Sequence, residues 1–290
     1  MSPENHIRNP FEMALEQLSW AFSDASHAVL EKPRARGDRT VPVIRRIDAS
    51  DLWDALLKGV GDLGAVREDV AFIALIYPIA GLLLAQLAVH HSLLPLVFPL
   101  ASGFALIGPV AAIGLYEISR RREQGLPVTW ADAFGVLRSP ALGSIFGLGL
   151  ILLAVLLLWL AAAYGVYWAT LGPTSPSSVS AFIHDVLETD AGWVMIVAGV
   201  GVGFLFAVLT LAISVVSFPL LLDRDVGIGA AIATSVRAVA ANPGPMSLWG
   251  LIVASGLALG SAPALFGLIL VVPLLGHATW HLYRKVIMKA

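Results

Sequence analysis

Apolar positions along this chain fall into long blocks, not a short alternating rhythm. Val70–Val89 forms the first block, with Gln86 its only strongly polar side chain. A hydrocarbon core about 30 Å thick is crossed by roughly 20 apolar helical residues. On that measure the chain predicts spans near 70–89, 96–118, 141–165, 192–222, 245–261 and 263–283. Pro95, Pro99 and Pro109 interrupt the second block. The stretch Ala238–Tyr283 holds no Asp, Glu, Lys or Arg. It is too long for one span and reads as two, joined by a tight turn at Gly260-Ser261-Ala262-Pro263. The expected fold is all-α: a polytopic membrane helical bundle of about six transmembrane helices, with short amphipathic helices on the cytoplasmic side.

Between the blocks the pattern changes to helical periodicity. Phe11, Leu15, Leu18, Phe22, Ala25 and Val29 share one helical face, on a helix made acidic by Glu12, Glu16, Asp24 and Glu31. An interfacial helix normally shows Lys or Arg on its polar face, so this one suits a protein contact better than a lipid surface. Residues 1–39 therefore read as an amphipathic tail with a basic linker at Lys32–Arg39. Residues 40–69 read as an interfacial helix capped by Asp48 or Ser50, with Leu52, Leu56, Val60, Leu63 and Val66 as its apolar stripe and Trp53 beside it. Residues 70–290 form the bundle. Thr129–Phe134 opens a further short amphipathic helix, with Thr129 as N-cap and Asp132 three residues on. The segment around Ala230–Ala240 has a similar plan. An offset of 103 residues aligns Pro140 with Pro243, Ser144 with Ser247 and Gly147 with Gly250. That makes a candidate parallel internal repeat of span, re-entry helix, proline and span. Gly143/Gly147, Gly199/Gly203 and Gly256/Gly260 have the spacing at which helix backbones meet closely in lipid.

Composition sharpens this picture. Of 290 residues, 58% are apolar and 13% charged, with mean hydropathy +0.83; soluble domains carry about 25% charge. With no cysteine, disulfides, thiolate nucleophiles, Fe–S clusters and Cys–zinc sites are excluded. A net charge of −2 argues against a nucleic-acid partner. If both termini are inside, all 18 Lys and Arg residues fall on cytoplasmic segments, and the outer connections carry none. No apolar leader segment precedes the first span, so no cleaved signal peptide is expected.

The predicted spans have no Asp, Glu, Lys, Arg or His in their central stretches. Intramembrane ionisable groups usually mark proton or ion paths. Thr210, Ser214 and Ser217 are available to line a polar path, although such hydroxyls commonly bond the carbonyl one turn back. His277 and His281, spaced i and i+4, are the candidate metal ligands, with Glu117, Asp223 and Asp225 at the same expected depth. Glu117, Arg120, Asp223, Arg224 and Arg284 form a candidate polar cluster on the cytoplasmic face. His90-His91 reads as a solvated outer turn. His184, Asp185 and Glu188 fall on a short outer helix capped by Ser177 or Ser178. No Ser/His/Asp set, phosphate loop or paired intramembrane carboxylates are visible, so no catalytic residue and no cofactor are expected.

Several runs have a family likeness. Leu75-Ile76-Tyr77-Pro78, Phe98–Phe104, Gly114–Arg121, Trp130–Phe134, Ser217–Arg224 and Gly276–Arg284 resemble a proteobacterial family of integral membrane proteins of unknown function. The likeness covers roughly residues 40–287. It implies a bacterial inner membrane and no particular activity. Some members are labelled cytochrome c oxidase subunit I-like. That catalytic subunit holds its haems and copper through six intramembrane histidines, whereas only His277 and His281 lie near a span here. The expected role is an accessory, assembly or scaffold factor, non-enzymatic, with membrane lipid and a membrane-protein partner or a second copy as its contacts. The alternative is a carrier or lipid-handling protein for a neutral or amphiphilic substrate.

Overall fold

The computed structural model describes residues 42–65, 86, 94–173, 175–263 and 265–288. The expected first span at 70–89, the tail at 1–39, His90-His91 and Lys289 lie outside them, apart from Gln86. Within the described residues the chain is helical, with one isolated antiparallel bridge between Ile44 and Ile287. The α-helices are α1 (Ala49–Ala65), α2 (Val97–Ala111), α3 (Ile113–Glu123), α4 (Leu142–Thr170), α5 (Val179–Glu188), α6 (Asp190–Ser214), α7 (Ser217–Asp223), α8 (Ile228–Ala241), α9 (Pro243–Ser261) and α10 (Leu268–Val286). Short 3-10 segments, Leu94–Leu96 and Trp130–Arg138, precede α2 and α4.

Three of these helical stretches are long and apolar enough to cross a membrane: Leu142–Thr170, Asp190–Asp223 and Pro243–Ser261. They leave most of that surface uncovered, and only 6% of the most apolar stretch of Asp190–Asp223 is buried. Val197, Phe204, Leu205, Leu251 and Leu259 all stand exposed. Such a flank is stable against hydrocarbon and costly in water.

The second expected span is interrupted. α2 has 15 residues, about 22 Å of helix, and the chain turns at Ala112 before α3. Pro109 supplies no amide hydrogen within the last turn of α2. The fourth span is broken in the same manner at Val215–Val216, just before Pro219. There the Val216 N–H is taken by Ser235 Oγ at 3.2 Å. The two breaks are 103 residues apart, and so are Arg138 and Ala241, the last residues of the segments that follow them. The third span continues to Thr170. The helix in the region of the expected sixth span begins at Leu268, not 263, and is not among the three long apolar stretches.

The principal core lies at the end of the bundle where the arginines gather. Leu115 and Ile118 of α3, Phe218 and Leu220 of α7, Trp249 of α9, and Trp280 and Tyr283 of α10 are buried together with Leu52 and Ala55 of α1. A smaller cluster around Leu106, Trp159 and Ala163 lies further along α2 and α4. α1 runs antiparallel to α10, with Asp51 beside Lys285 and Gly59 against Leu274 and Ala278. Its buried face is Asp51, Leu52, Ala55, Gly59 and Asp62. The expected stripe is therefore rotated: Leu52 is buried, but Val60 is exposed, as is the flanking Trp53; Leu56 and Leu63 are only half-buried, and Val66 lies outside the described residues. Small residues allow this backbone approach, and leucines there would hold the helices apart. The expected glycine pairs divide likewise. Gly256 and Gly260 pack on Val271 of α10, Gly260 also meets Gly267 just before that helix, and Gly203 meets Trp159, but a Cβ on Gly199 would meet nothing.

Local caps fix the helix starts. Asp48 Oδ1 accepts from the Ser50 and Asp51 amides at 2.9 and 3.1 Å. Ser178 Oγ accepts from Ala181 N–H at 3.1 Å. Thr129 N–H donates to Asp132 Oδ2 at 2.8 Å, and the segment it opens is a 3-10 helix, not the expected α-helix.

A Cβ on Gly59 would lie 2.9 Å from the Ala278 backbone nitrogen. Gly59→Ala should therefore cost about 1–3 kcal/mol and lower the melting temperature of the detergent-solubilised protein. Gly61→Ala, where a Cβ meets nothing, should leave it unchanged or slightly raised; equal falls in the two variants would contradict the packing.

Candidate functional site

Charge at this end of the bundle is organised around three carboxylates. The first is Asp62, in the last turns of α1. Ser119 Oγ donates to its Oδ2 at 2.5 Å, and His281 Nε2 donates to the same oxygen at 2.8 Å. Arg122 Nη1 lies 2.9 Å from Oδ1. Ser119 Oγ is also 2.8 Å from His277 Nδ1. Since Ser119 gives its only proton to Asp62, this network assigns His277 Nδ1–H as the donor to Ser119. Ser119 and His277 have no solvent exposure, and His277 Nε2 is enclosed without a hydrogen-bond partner among the described residues. Burial by itself raises the Asp62 carboxyl, but the hydrogen bonds from His281 and Ser119 and the two nearby imidazoles outweigh it, leaving it below the ordinary aspartate range.

The second carboxylate is Glu117, in the middle of α3 and buried. Arg120 Nε reaches Oε2 at 2.7 Å, and Arg121 Nε reaches Oε1 at 2.9 Å. The carboxylate holds Arg120 protonated above its usual range, against a smaller opposing effect of burial. Arg121 continues to Asp132, so the chain of charge runs into the 3-10 segment. Bonds from the Thr129 amide and hydroxyl keep the Asp132 carboxyl below its ordinary range.

Asp223, at the end of α7, is the third. It accepts from Tyr283 Oη at 2.6 Å and Arg284 Nη1 at 3.1 Å. Arg284 Nε also reaches Glu123 at 3.1 Å, and Trp280 Nε1 donates to Glu123 at 3.2 Å. Lys285 lies 2.7 Å from Asp54 and 3.3 Å from Asp51, which Arg45 also grips at 2.9 Å. Helices α1, α3, α7 and α10 are thus cross-linked by charge. Asn242 adds a clip: its Oδ1 accepts from Ile47 N–H at 2.8 Å, and its Nδ2 donates to the Arg45 and Ala238 carbonyls at 3.1 and 3.0 Å.

The structure gathers the residues of the expected polar cluster. Glu117, Arg120, Asp223 and Arg224 line one cleft, and Arg284 bonds Asp223 beside it. The histidine pair shares Asp62 through direct and Ser119-mediated contacts. Among the described residues there is no group of three or more His, Cys, Asp or Glu that could hold a metal ion. Ser119, His277 and Asp62 do meet, although the sequence shows no Ser/His/Asp set. The hydroxyl lies between imidazole and carboxylate with its proton directed at the carboxylate. In that order the hydroxyl ties α3 to α1 and α10. Ser214 and Ser217 bond the Thr210 and Ile213 carbonyls at 2.6 Å each, while the buried Thr210 hydroxyl has no partner among the described residues. At the far end, His184 pairs with Glu188 at 3.0 Å on an exposed helix face. Asp62, Ser119 and Asn242 were not legible as partners. Asp62, which shares the buried face of α1 with Asp51, Leu52, Ala55 and Gly59, was the available signal.

Comparison with known proteins fits this architecture. A family model described as a predicted integral membrane protein (DUF2189), of unknown function, matches residues 97–223. The match takes in α2 to α7 and the runs Phe98–Phe104, Gly114–Arg121 and Trp130–Phe134; Gly276–Arg284 lies beyond it. No curated protein and no solved structure matches the chain. With its apolar flank, the chain is an integral membrane protein.

Because the folded-state pKa of Asp62 is lowered, its contribution to stability is complete above the unfolded value near 4 and is lost as pH falls through the folded value. Thermal melts of the solubilised protein should therefore weaken on acidification below about pH 4. Asp62→Asn should destabilise by about 3 kcal/mol at neutral pH, since Arg122 loses its buried counter-charge, and should flatten that acid limb. An unchanged acid limb in the variant would assign the loss to other carboxylates.

Proposed function

We propose that this integral membrane protein is a non-catalytic accessory, assembly or scaffold factor of a bacterial inner membrane, acting through a protein partner. In this reading the bundle has six spans. Its arginine-bearing end faces the cytoplasm, as do both termini. Every ion pair linking α1, α3, α7 and α10 lies at that end, whereas Asp185 and Glu188 are separated from it by the length of α4. This separation supports the assignment through the excess of cations on the cytoplasmic side.

The observation that carries the proposal is the mutual locking of those helices. Asp62 binds groups from both α3 and α10, Asp223 binds two groups of α10, and the Asn242 clip and the Ile44–Ile287 bridge close the same body. A body braced this way suits a fixed platform. On its outside α1 presents Trp53, Leu57 and Val60, each more than half exposed, along one face where a partner helix fits.

A second reading, a carrier or lipid-handling protein for a neutral or amphiphilic substrate, draws on the recurrence of a proline-associated helix break after 103 residues. That interval is also what a parallel repeat would produce.

The absence of cysteine makes single-cysteine labelling clean. In intact inner-membrane vesicles, Arg121→Cys and Arg237→Cys should label from the cytoplasmic face and Glu188→Cys from the other; labelling of Arg121→Cys and Arg237→Cys from opposite faces would overturn the topology. A photo-crosslinking residue at Trp53 or Leu57 should trap one defined protein band in cells, and one at the lipid-exposed Phe204 should not. Lipid adducts alone at all three positions would count against the accessory role and favour the second reading.

A further inference from the structure

A cleft of about 380 Å³ opens at the arginine-bearing end. Its walls are the last turn of α3, the corner from the 3-10 segment into α4, and the loop after α7. Arg120, Arg121, Arg138 and Arg224 line it. They come from three separate elements, so no single run in the sequence displays the group.

Their charge is only partly spent. Glu117 is divided between Arg120 and Arg121, and Arg121 is also paired with Asp132. Asp223 is occupied by Tyr283 and Arg284 and stands 3.8 Å from Arg224 Nε. Arg224 gives one Nη2 hydrogen to the Met288 carbonyl at 2.6 Å. Arg138 is exposed and forms no ion pair among the described residues. Asp225, the remaining carboxylate of the lining, is exposed at the rim. Each guanidinium carries five N–H donors, so donors in the cleft far outnumber the oxygens that accept from them.

Position and chemistry agree on the ligand. The second wall, Ser139–Ala141, leads into α4, a 29-residue helix with no side-chain cap and no acidic residue in its first turn. Its positive end adds to the field of the arginines. The apolar stretch of α4 begins directly after this corner, which sets the cleft at the depth of lipid headgroups. A carboxylate is satisfied by one guanidinium fork, whereas a phosphate offers several oxygens to forks arriving from different directions. We infer that this cleft binds a phosphate group, contributed either by an anionic phospholipid headgroup or by free phosphate. The inference stands apart from the accessory reading and holds equally for a carrier.

The test uses the full-length protein in a maltoside detergent, which contains no phosphate, with three probes: dihexanoylphosphatidylglycerol, inorganic phosphate and monohexanoylglycerol. Saturable binding of one or both phosphate-bearing probes, and none of monohexanoylglycerol, is expected. Arg138→Gln and Arg224→Gln should each weaken binding about tenfold, the size of one charge-assisted contact. Arg237→Gln, on α8 outside the cleft, should change it less than about twofold on the same scale. Tighter binding of the lipid than of phosphate assigns the headgroup as the source; equal binding assigns free phosphate. In the unsubstituted protein the bound probe should also slow phenylglyoxal modification of Arg138 but not of Arg237. Absence of saturable binding, equal losses in all three variants, or unprotected Arg138 would each overturn the inference.

Discussion

A carboxylate removed from water must be surrounded by donors, and that requirement shapes this protein more than any other. Asp62, Glu117 and Asp223 sit at the boundary between an apolar bundle and a charged end. Leaving any of them unpaired there would cost several kcal/mol. Asp62 draws on α3 and α10, and Asp223 draws on α10. The helices can therefore assemble in few ways. The same bonds that neutralise the acids fix the rotation of α1 and the seating of α10.

Packing obeys this electrostatic frame. α1 must bring Asp62 to the histidines of α10, so it buries a face of small residues and lets Gly59 lie against the α10 backbone. Gly276 makes the equivalent allowance for Leu115 of α3. The principal core forms here, around the fully buried Trp249, Trp280 and Tyr283. The long helices α4, α6 and α9 extend from it with most of their apolar surface uncovered. Lipid supplies the contacts that other helices supply in a soluble fold. One end of the molecule is thus held by polar bonds and tight packing, and the other by hydrocarbon.

The helix breaks at Ala112 and Val215–Val216 join these two regimes. Each follows an apolar segment and precedes a shorter helix that enters the charged core. A break frees backbone groups, which is tolerable only where partners exist, and Ser235 provides one for Val216. The breaks also turn α3 and α7 so that Glu117 and Asp223 flank the same cleft, where the arginines of α3, α4's entry corner and the α7 loop converge.

The length of the apolar blocks was enough to expect helices near 141–165, 192–222 and 245–261, close to the three apolar helical stretches of the fold, because hydrocarbon thickness imposes a length and permits little polarity. The gathering of cations at one end was equally legible, since a buried lone charge is excluded along an apolar flank. A cap at Asp48 or Ser50 was readable from local chemistry, and Glu117, Arg120, Asp223, Arg224 and Arg284 were candidates for one polar cluster, which the fold sets along and beside a single cleft. The face that α1 buries was not. Leu56 and Val60 offer more apolar area than Gly59, and only the demand of Asp62 for Ser119, His281 and Arg122 reverses that preference. Nor could sequence reveal that Asn242 clips residues almost 200 positions away, or that Arg138 and Arg224 share a cleft. Those pairings depend on how helices rotate against one another, and rotation is decided by contacts distant in sequence.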